Sequence, residues 1–417
     1  MKIAVIGSGI SGMSAAWILS EQHEVHLFES EGRLGGHAHT VDVLETDKKV
    51  PVDTGFLVYN ELTYPNLIGF FKELGVETIE SDMSLSIMAK EKGLEWAGNN
   101  MSSVFGQRKN IFNLSFLRML LEILRFGKEA EKNLALARRH AWTLGELLQQ
   151  RKYSKTFIDD YLLPIGGAIW STPEGEMLAF PAETFLIFFM NHKLLQVNDR
   201  PKWRTVKNGS RQYVDLAAKR ISRINLNAKV TSVERAEGKI KVTANGESQG
   251  FDKVILATHA PVTNAILKNK SPKEEEILSV ITYENNSTIL HSDPDFMPNE
   301  RRCWSSWNVL GTGTKEYAKK VSLTYNINFL QSLPTKNNYF VTLNPHSKVK
   351  APIQEFSYEH PKFDRTAIRA QRDLDLIQGN GGVYFAGAWT RYGFHEDGIL
   401  SAVKVSELLG VKAPWNK

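Results

Sequence analysis

The chain opens with a short apolar run, Lys2 to Ile6, that reads as a buried parallel strand. A glycine-rich turn follows, then an apolar segment from about Ser11 that reads as a helix, then a second strand at Val25 to Phe28. Further on, two long blocks differ in period. Residues of about 81–204 are mostly helical by spacing. Within them, 113–126 places Arg118, Glu122 and Arg125 on one helical face, with leucines, Phe116 and Ile123 over most of the rest. Residues of about 271–379 alternate at Ser287–His291, Val321–Asn328 and Tyr339–Leu343, which predicts a twisted antiparallel sheet. A last helix is predicted over Leu400–Leu409.

The turn after the first strand carries Gly7, Gly9 and Gly12 in GxGxxG spacing, with Ser11 at the helix start. Gly7 permits the tight turn, Gly9 lets the backbone approach a pyrophosphate, and Gly12 lets helix and strand pack closely. The free N–H groups and partial positive charge of the helix N-terminus suit phosphates. Glu29, at the end of the second strand and 17 residues beyond Gly12, is placed to accept hydrogen bonds from a ribose. Strand, turn, helix and acid together predict a dinucleotide site, with NAD and FAD both open at this point.

The run Glu29-Ser-Glu-Gly-Arg33-Leu-Gly35-Gly36 resembles the flavin-containing amine oxidase superfamily, which includes monoamine and polyamine oxidases, protoporphyrinogen oxidase and phytoene-type desaturases. Further segments are similar to that family in the same order: Asp53-Thr-Gly55-Phe56, Asn208-Gly-Ser210, the strand containing Val230, Lys253 to Thr258 with Ala257, and Gly382 to Trp389 with Gly387, continuing to Gly398. The resemblance implies FAD, with Arg33, Gly35 and Gly36 along its phosphate and ribityl part. It also implies that Gly55 and Phe56 pass beside the ring, that the Val230 backbone pairs with the adenine edge, and that Gly398 and Ile399 touch the cofactor. The GFHEDG ending (Gly393 to Gly398) is most similar to a bacterial group described as amine-oxidase-like NAD/FAD-binding proteins, some linked to fatty-acyl desaturation. One departure matters: many amine oxidases have an acid after the closing glycine, whereas this chain has Ala388, so amine chemistry is not inherited automatically.

The implied fold is α/β, a Rossmann-like FAD-binding domain of the GR2 type with a discontinuous helix-plus-antiparallel-sheet substrate domain. Because the motifs fall in three separated blocks, the expected division is 1–80, 205–270 and 380–417 for FAD binding, and 81–204 with 271–379 for substrate.

Composition narrows the class. A chain of 417 residues, 42% hydrophobic, can bury a large core. Cys303 is the single cysteine, which rules out an internal disulfide and fits a reducing, cytoplasmic compartment. It lies far in sequence from the closing motif, where some relatives attach flavin through a thioether, so noncovalent FAD is expected. The N-terminus runs straight into a strand without the pattern of a signal peptide, and no apolar stretch is long enough to span a bilayer. The net charge of +5, with scattered lysines and arginines and no groove motif, argues against a nucleic-acid partner. The 113–126 helix, with its wide apolar face and flanking basic residues, suits either the protein core or peripheral placement on the inner face of a membrane.

His395 and Glu396 are the candidates for proton handling beside the flavin. Their plain alternatives are a backbone hydrogen bond for His395 and a helix cap for Glu396. Trp389 and Tyr392 are candidates to wall the substrate side, and Trp170 to line that side or cap the core. His37 and His39 form an H-x-H, but no nearby cysteine or acid cluster completes a metal set, so no metal is expected. The apolar insertions and the unusual ending favour an apolar small-molecule substrate such as a lipid acyl chain, desaturated or isomerised by an oxidoreductase. Oxidation of an amine to an imine with peroxide release is the other enzymatic reading. Lipid-binding escorts that share this architecture tend to lose the flavin motifs, which this chain keeps.

Overall fold

Lys2–Ile6 is the middle strand of a five-stranded parallel sheet ordered Arg223–Asn225, Glu24–Phe28, Lys2–Ile6, Lys253–Leu256 and Val383–Phe385. The three central strands are almost wholly buried, which is why they read as continuous apolar runs rather than alternating ones. Ile6 pairs with Phe28 on one side and Leu256 on the other, so three strand ends reach one edge together. Ligands of open α/β sheets bind at that edge. The structure, a computed structural model, describes residues 1–170, 172–194, 201–311 and 320–416.

The helix Ile10–Leu19 leaves the same edge, and every one of its residues is buried. It is sandwiched between the sheet and the closing helix His395–Leu408. Two glycines allow this. A Cβ on Gly12 would lie 1.8 Å from the Gly7 carbonyl oxygen, and a Cβ on Gly398 would lie 2.6 Å from Ile10 Cγ2 and 2.9 Å from Ser11 Oγ. The closing helix therefore starts five residues before the expected Leu400. Its polar first turn, His-Glu-Asp-Gly, looks like loop in sequence. It is helical because Asp397 accepts the Phe394 N–H at 3.0 Å and Gly398 permits the close crossing.

A seven-stranded sheet runs in the order Pro352–Pro361, Tyr283–His291, Phe340–Leu343, Ser322–Asn326, Trp307–Gly311, Leu85–Ala89 and Leu94–Ala97. All its neighbours are antiparallel except Trp307–Gly311 beside Leu85–Ala89. This differs from the expectation in two ways. The first insertion, read as mostly helical, begins with a hairpin that extends the sheet of the second; its two short strands turn at Gly93, which has a left-handed backbone. The alternating run through Asn328 also stops being a strand at Asn326, whose side chain accepts the Phe329 N–H and starts the helix Ile327–Gln331.

The remaining described part of the first insertion is helical. Leu114–Lys128, started by the Asn113 side chain, buries Phe116, Met119 and Phe126 against an aromatic core that includes Phe157, Phe185 and Phe189. Glu122 sits on that buried side, accepting hydrogen bonds from Ser154 and Arg118. Leu114, Leu121 and Leu124 face outward and are exposed. Among the described residues, no helix is long and apolar enough to cross a membrane.

Candidate active site

The sheet edge opens into a cavity of 1270 Å³ that continues past the closing helix to the helix Leu114–Lys128. Its first end is built by Gly7, Ser8, Gly9, Ser11 and Glu29 on one wall and Ala228, Lys229 and Val230 on another. Glu29 Oε2 accepts the Ser8 N–H at 2.9 Å and the Ser8 hydroxyl at 2.5 Å, while Oε1 accepts the Glu31 N–H at 2.9 Å. The carboxylate is thus fixed, yet half-exposed to the cavity. A Cβ on Gly9 would meet nothing within 4 Å. The space before the helix N-terminus is empty of protein, and the first amide groups of Ile10–Leu19 have no partner within the helix.

Gly36 lines the next part of the cavity, but Arg33 and Gly35 do not. This corrects the expectation that all three face the cofactor. Arg33 instead donates to the Gly36 carbonyl oxygen at 2.8 Å, and the Gly35 N–H donates to the Ser8 carbonyl oxygen at 3.1 Å. Gly35 has a positive φ, and a Cβ there would lie 2.6 Å from the Ala38 oxygen. These two residues shape the turn that presents Gly36.

Gly55 and Phe56 line the middle of the cavity. They follow Asp53, a fully buried carboxylate that holds three segments together. It accepts from Thr40 Oγ1 at 2.6 Å, from the Ser210 N–H and hydroxyl at 2.9 and 2.8 Å, and from Gln331 Nε2 at 3.3 Å. Burial pushes Asp53 up to about 6, against the opposing pull of these hydrogen bonds. Ala257 and Gly387 lie on the opposite side, on the two neighbouring sheet strands' extensions.

The closing helix brings its first residue, His395, to the cavity wall. The imidazole stacks on Phe56 with centroids 3.7 Å apart, and Nε2 lies 3.2 Å from the Tyr213 hydroxyl. Burial lowers its pKa to about 3, so it is a neutral ring at physiological pH. Glu396 requires a correction. It does not line the cavity, and its carboxylate accepts from Asn66 N, Asn66 Nδ2 and Leu67 N at 3.1, 2.7 and 3.0 Å. It caps the helix Pro65–Leu74 and is turned away from any reacting atom. Gly398 and Ile399 also lie behind the wall, where Gly398 is the crossing point with Ile10 and Ile399 is fully buried in the core. Trp389 and Tyr392 do line the cavity; the Trp389 indole donates to the Thr258 carbonyl oxygen at 3.3 Å.

A group that sequence inspection does not assemble lines the same cavity as His395. His37, His259 and His360 all line the cavity, with His37 5.5 Å from His360 and 6.4 Å from His259, ring to ring. His259 Nδ1 lies 2.9 Å from Glu359 Oε2. Burial, reinforced by the neighbouring imidazoles, lowers His37 well below the ordinary range and His360 to about 4. The three come from distant segments, and only the H-x-H containing His37 carries a sequence signal. His39 turns the other way, toward the Tyr358 hydroxyl at 2.9 Å. Among the described residues no group of side chains could hold a metal ion.

Beyond this belt the cavity is lined by aliphatic and aromatic side chains, among them Ile87, Trp96, Ile165, Trp170, Phe188 and Phe189. Trp170 is packed against Phe188 with centroids 4.7 Å apart.

The sequence profile of the flavin containing amine oxidoreductases matches residues 10–327. The chain belongs to that family. As a flavin-containing amine oxidoreductase it is 38% identical over 93 residues to amine oxidase [flavin-containing] A of dog, a stretch covering 22% of this chain and 17% of that relative. Its fold is similar to that of wild-type putrescine oxidase bound to putrescine, at a TM-score of 0.70 and 15% identity over 98% of this chain and 99% of the other. It is also similar to a CLA-producing fatty acid isomerase from P. acnes, at 0.67 and 12% over 97% and 98%. The amine oxidoreductase fold and its FAD cofactor account for the first half of the cavity. Gly9 leaves space that any side chain would fill, and Glu29 offers a fixed acceptor. Cys303 is buried against Ser103 and Gly106, outside the cavity lining, so no thiol is presented to the cofactor.

Proposed function

We propose that this FAD-dependent oxidoreductase removes a hydride from an apolar acyl chain, desaturating or isomerising it. One observation supports this above others: the half of the cavity beyond His395 is long, aromatic and aliphatic, and poor in charge. Among the described residues lining the whole cavity, the only carboxylates are Glu29, at the nucleotide end, and Glu359, engaged with His259. An ammonium substrate would find no carboxylate partner there among the described residues, at a cost of several kcal/mol in so apolar a setting.

FAD, when bound, would accept the two electrons that leave with the hydride, keeping them in a desaturation and returning them to another carbon of the chain in an isomerisation. The chain's own residues do the rest. Phe56 and Tyr213 fix the His395 ring so that a neutral imidazole faces the substrate without binding a proton. Tyr392 and Trp389 line the cavity and help to exclude water from it. Formation of a double bond also releases a proton from the neighbouring carbon. We assign its acceptance to His259, which lines the cavity and whose Nδ1 lies 2.9 Å from Glu359 Oε2.

Oxidation of an amine is the second reading, favoured by the family itself and by the aromatic pair Trp389 and Tyr392. Anaerobic mixing of the holoenzyme with phospholipids, unsaturated fatty acids and amines separates the two. Bleaching of the oxidised flavin, or new conjugated-diene absorbance, with acyl chains and not with amines is expected. Bleaching by amines alone overturns the acyl-chain reading.

A further inference from the structure

The cavity reaches the surface at the helix Leu114–Lys128 and the short helix Met101–Val104. Met101 and Leu124 line it and are nevertheless 71% and 54% exposed. Around this mouth the apolar side chains continue over the outside: Phe112, Leu114 and Leu121 are 86%, 81% and 67% exposed. Six of the fifteen exposed large hydrophobic residues in the described chain fall between 101 and 124, so they form a patch rather than a scatter. The helix thus has two apolar faces. Phe116, Met119 and Phe126 fill the core, while Leu114, Leu121 and Leu124, at helical spacing, are exposed on the outer side.

Charge indicates what covers that outer face. Residues 101–140 hold eight lysines and arginines against three glutamates, an excess of five equal to that of the whole chain. The rest of the protein is balanced. Two of the three acids are engaged by arginines: Glu122 with Arg118, and Glu129 with Arg151. Arg108, Lys109 and Lys128 stand exposed beside the apolar patch. An apolar surface rimmed by cations matches an anionic bilayer, which takes the leucines among its acyl chains and the lysines at its headgroups.

We propose that this face docks on an anionic phospholipid bilayer, with the mouth between Met101 and Leu124 opening into the acyl layer, from which the substrate enters. The delivery of substrate rests on the acyl-chain reading; the docking itself is measured without turnover. The test is co-sedimentation of the holoenzyme with vesicles of phosphatidylcholine alone and of phosphatidylcholine mixed with phosphatidylglycerol. Binding is expected to the mixed vesicles and to fall as salt is raised. Leu114→Glu/Leu121→Glu, at positions outside the cavity lining, should abolish binding while keeping the flavin absorbance of the folded protein. Lys109→Ala and Lys128→Ala should each weaken binding by about fivefold. Failure to bind mixed vesicles overturns the proposal, as does binding that the leucine variant leaves intact. A dimer that the leucine variant dissociates, without vesicle binding, assigns the face to a second copy and overturns it as well. Flavin bleaching by soluble fatty acids with no vesicle binding would remove the docking and leave the acyl-chain reading standing; vesicle binding with bleaching by amines alone would do the reverse.

Discussion

Phe56 and His395 lie face to face, their ring centroids 3.7 Å apart and their planes 15° from parallel. The stack joins the segment that follows buried Asp53 to the first residue of the closing helix, so two distant parts of the chain meet at the cavity wall. It also covers one face of the imidazole, and burial lowers its pKa to about 3. Nuclear magnetic resonance of the His395 ring should show a neutral tautomer from neutrality down to about pH 5. Protonation near the ordinary histidine value would contradict this placement.

Glu396 should affect stability and not turnover. Its carboxylate satisfies N–H groups at the start of Pro65–Leu74 and does not reach the cavity. Glu396→Ala is expected to cost about 1–2 kcal/mol in unfolding while the rate of flavin reduction stays within about twofold. A large loss of rate with unchanged stability would return Glu396 to the chemistry.

Two glycines of the first turn, Gly9 and Gly12, should fail differently. Gly12→Ala puts a Cβ against the Gly7 oxygen and should prevent stable folding, whereas Gly9→Ala points into open space. The Gly9 variant should fold with the melting temperature of the flavin-free protein and lose FAD affinity by about tenfold or more, as 1.4 kcal/mol of steric cost implies. Equal FAD affinity in Gly9→Ala, measured by fluorescence titration, would show that the cofactor does not use this space.

Much of this was legible in local sequence. The strand Lys2–Ile6, the glycine turn and Glu29 lie within one continuous stretch, so spacing alone predicts their geometry. Glu396 was not legible, because its partners Asn66 and Leu67 are 330 and 329 residues away. Likewise, His37, His259 and His360 meet only through the packing of the seven-stranded sheet onto the nucleotide side. The early start of the closing helix was hidden because Gly398 reads as a helix breaker unless the crossing with Ile10 is known.

Acid should destabilise the fold. His291 is fully buried; the Asp293 N–H donates to its Nδ1 at 3.1 Å, and its Nε2 pairs with Thr342 Oγ1 at 2.7 Å, which fixes a neutral ring. Burial lowers it to about 4 from an ordinary 6.5. The unfolded chain therefore takes this proton first, and the stability is full above 6.5 and lost as pH falls toward 4, by about 1.4 kcal/mol per pH unit. His39 and His360, at about 4, and His395, at about 3, act in the same direction. Asp53, raised to about 6, and Asp397, raised to about 7, act oppositely, since their folded forms gain protons first. With the histidines in the majority, the melting temperature should fall between about pH 7 and about pH 5. A rise over that interval would contradict the assignment of neutral buried histidines.

The account depends on three separated segments, those of Gly9, Val230 and Gly387, enclosing one flavin nucleotide at the sheet edge. Its most direct test is the nucleotide released when the purified protein is denatured. The prediction is one FAD per chain, free in solution after the polypeptide is removed. Nicotinamide nucleotide in its place, or a chain that takes up no FAD on reconstitution, would contradict it.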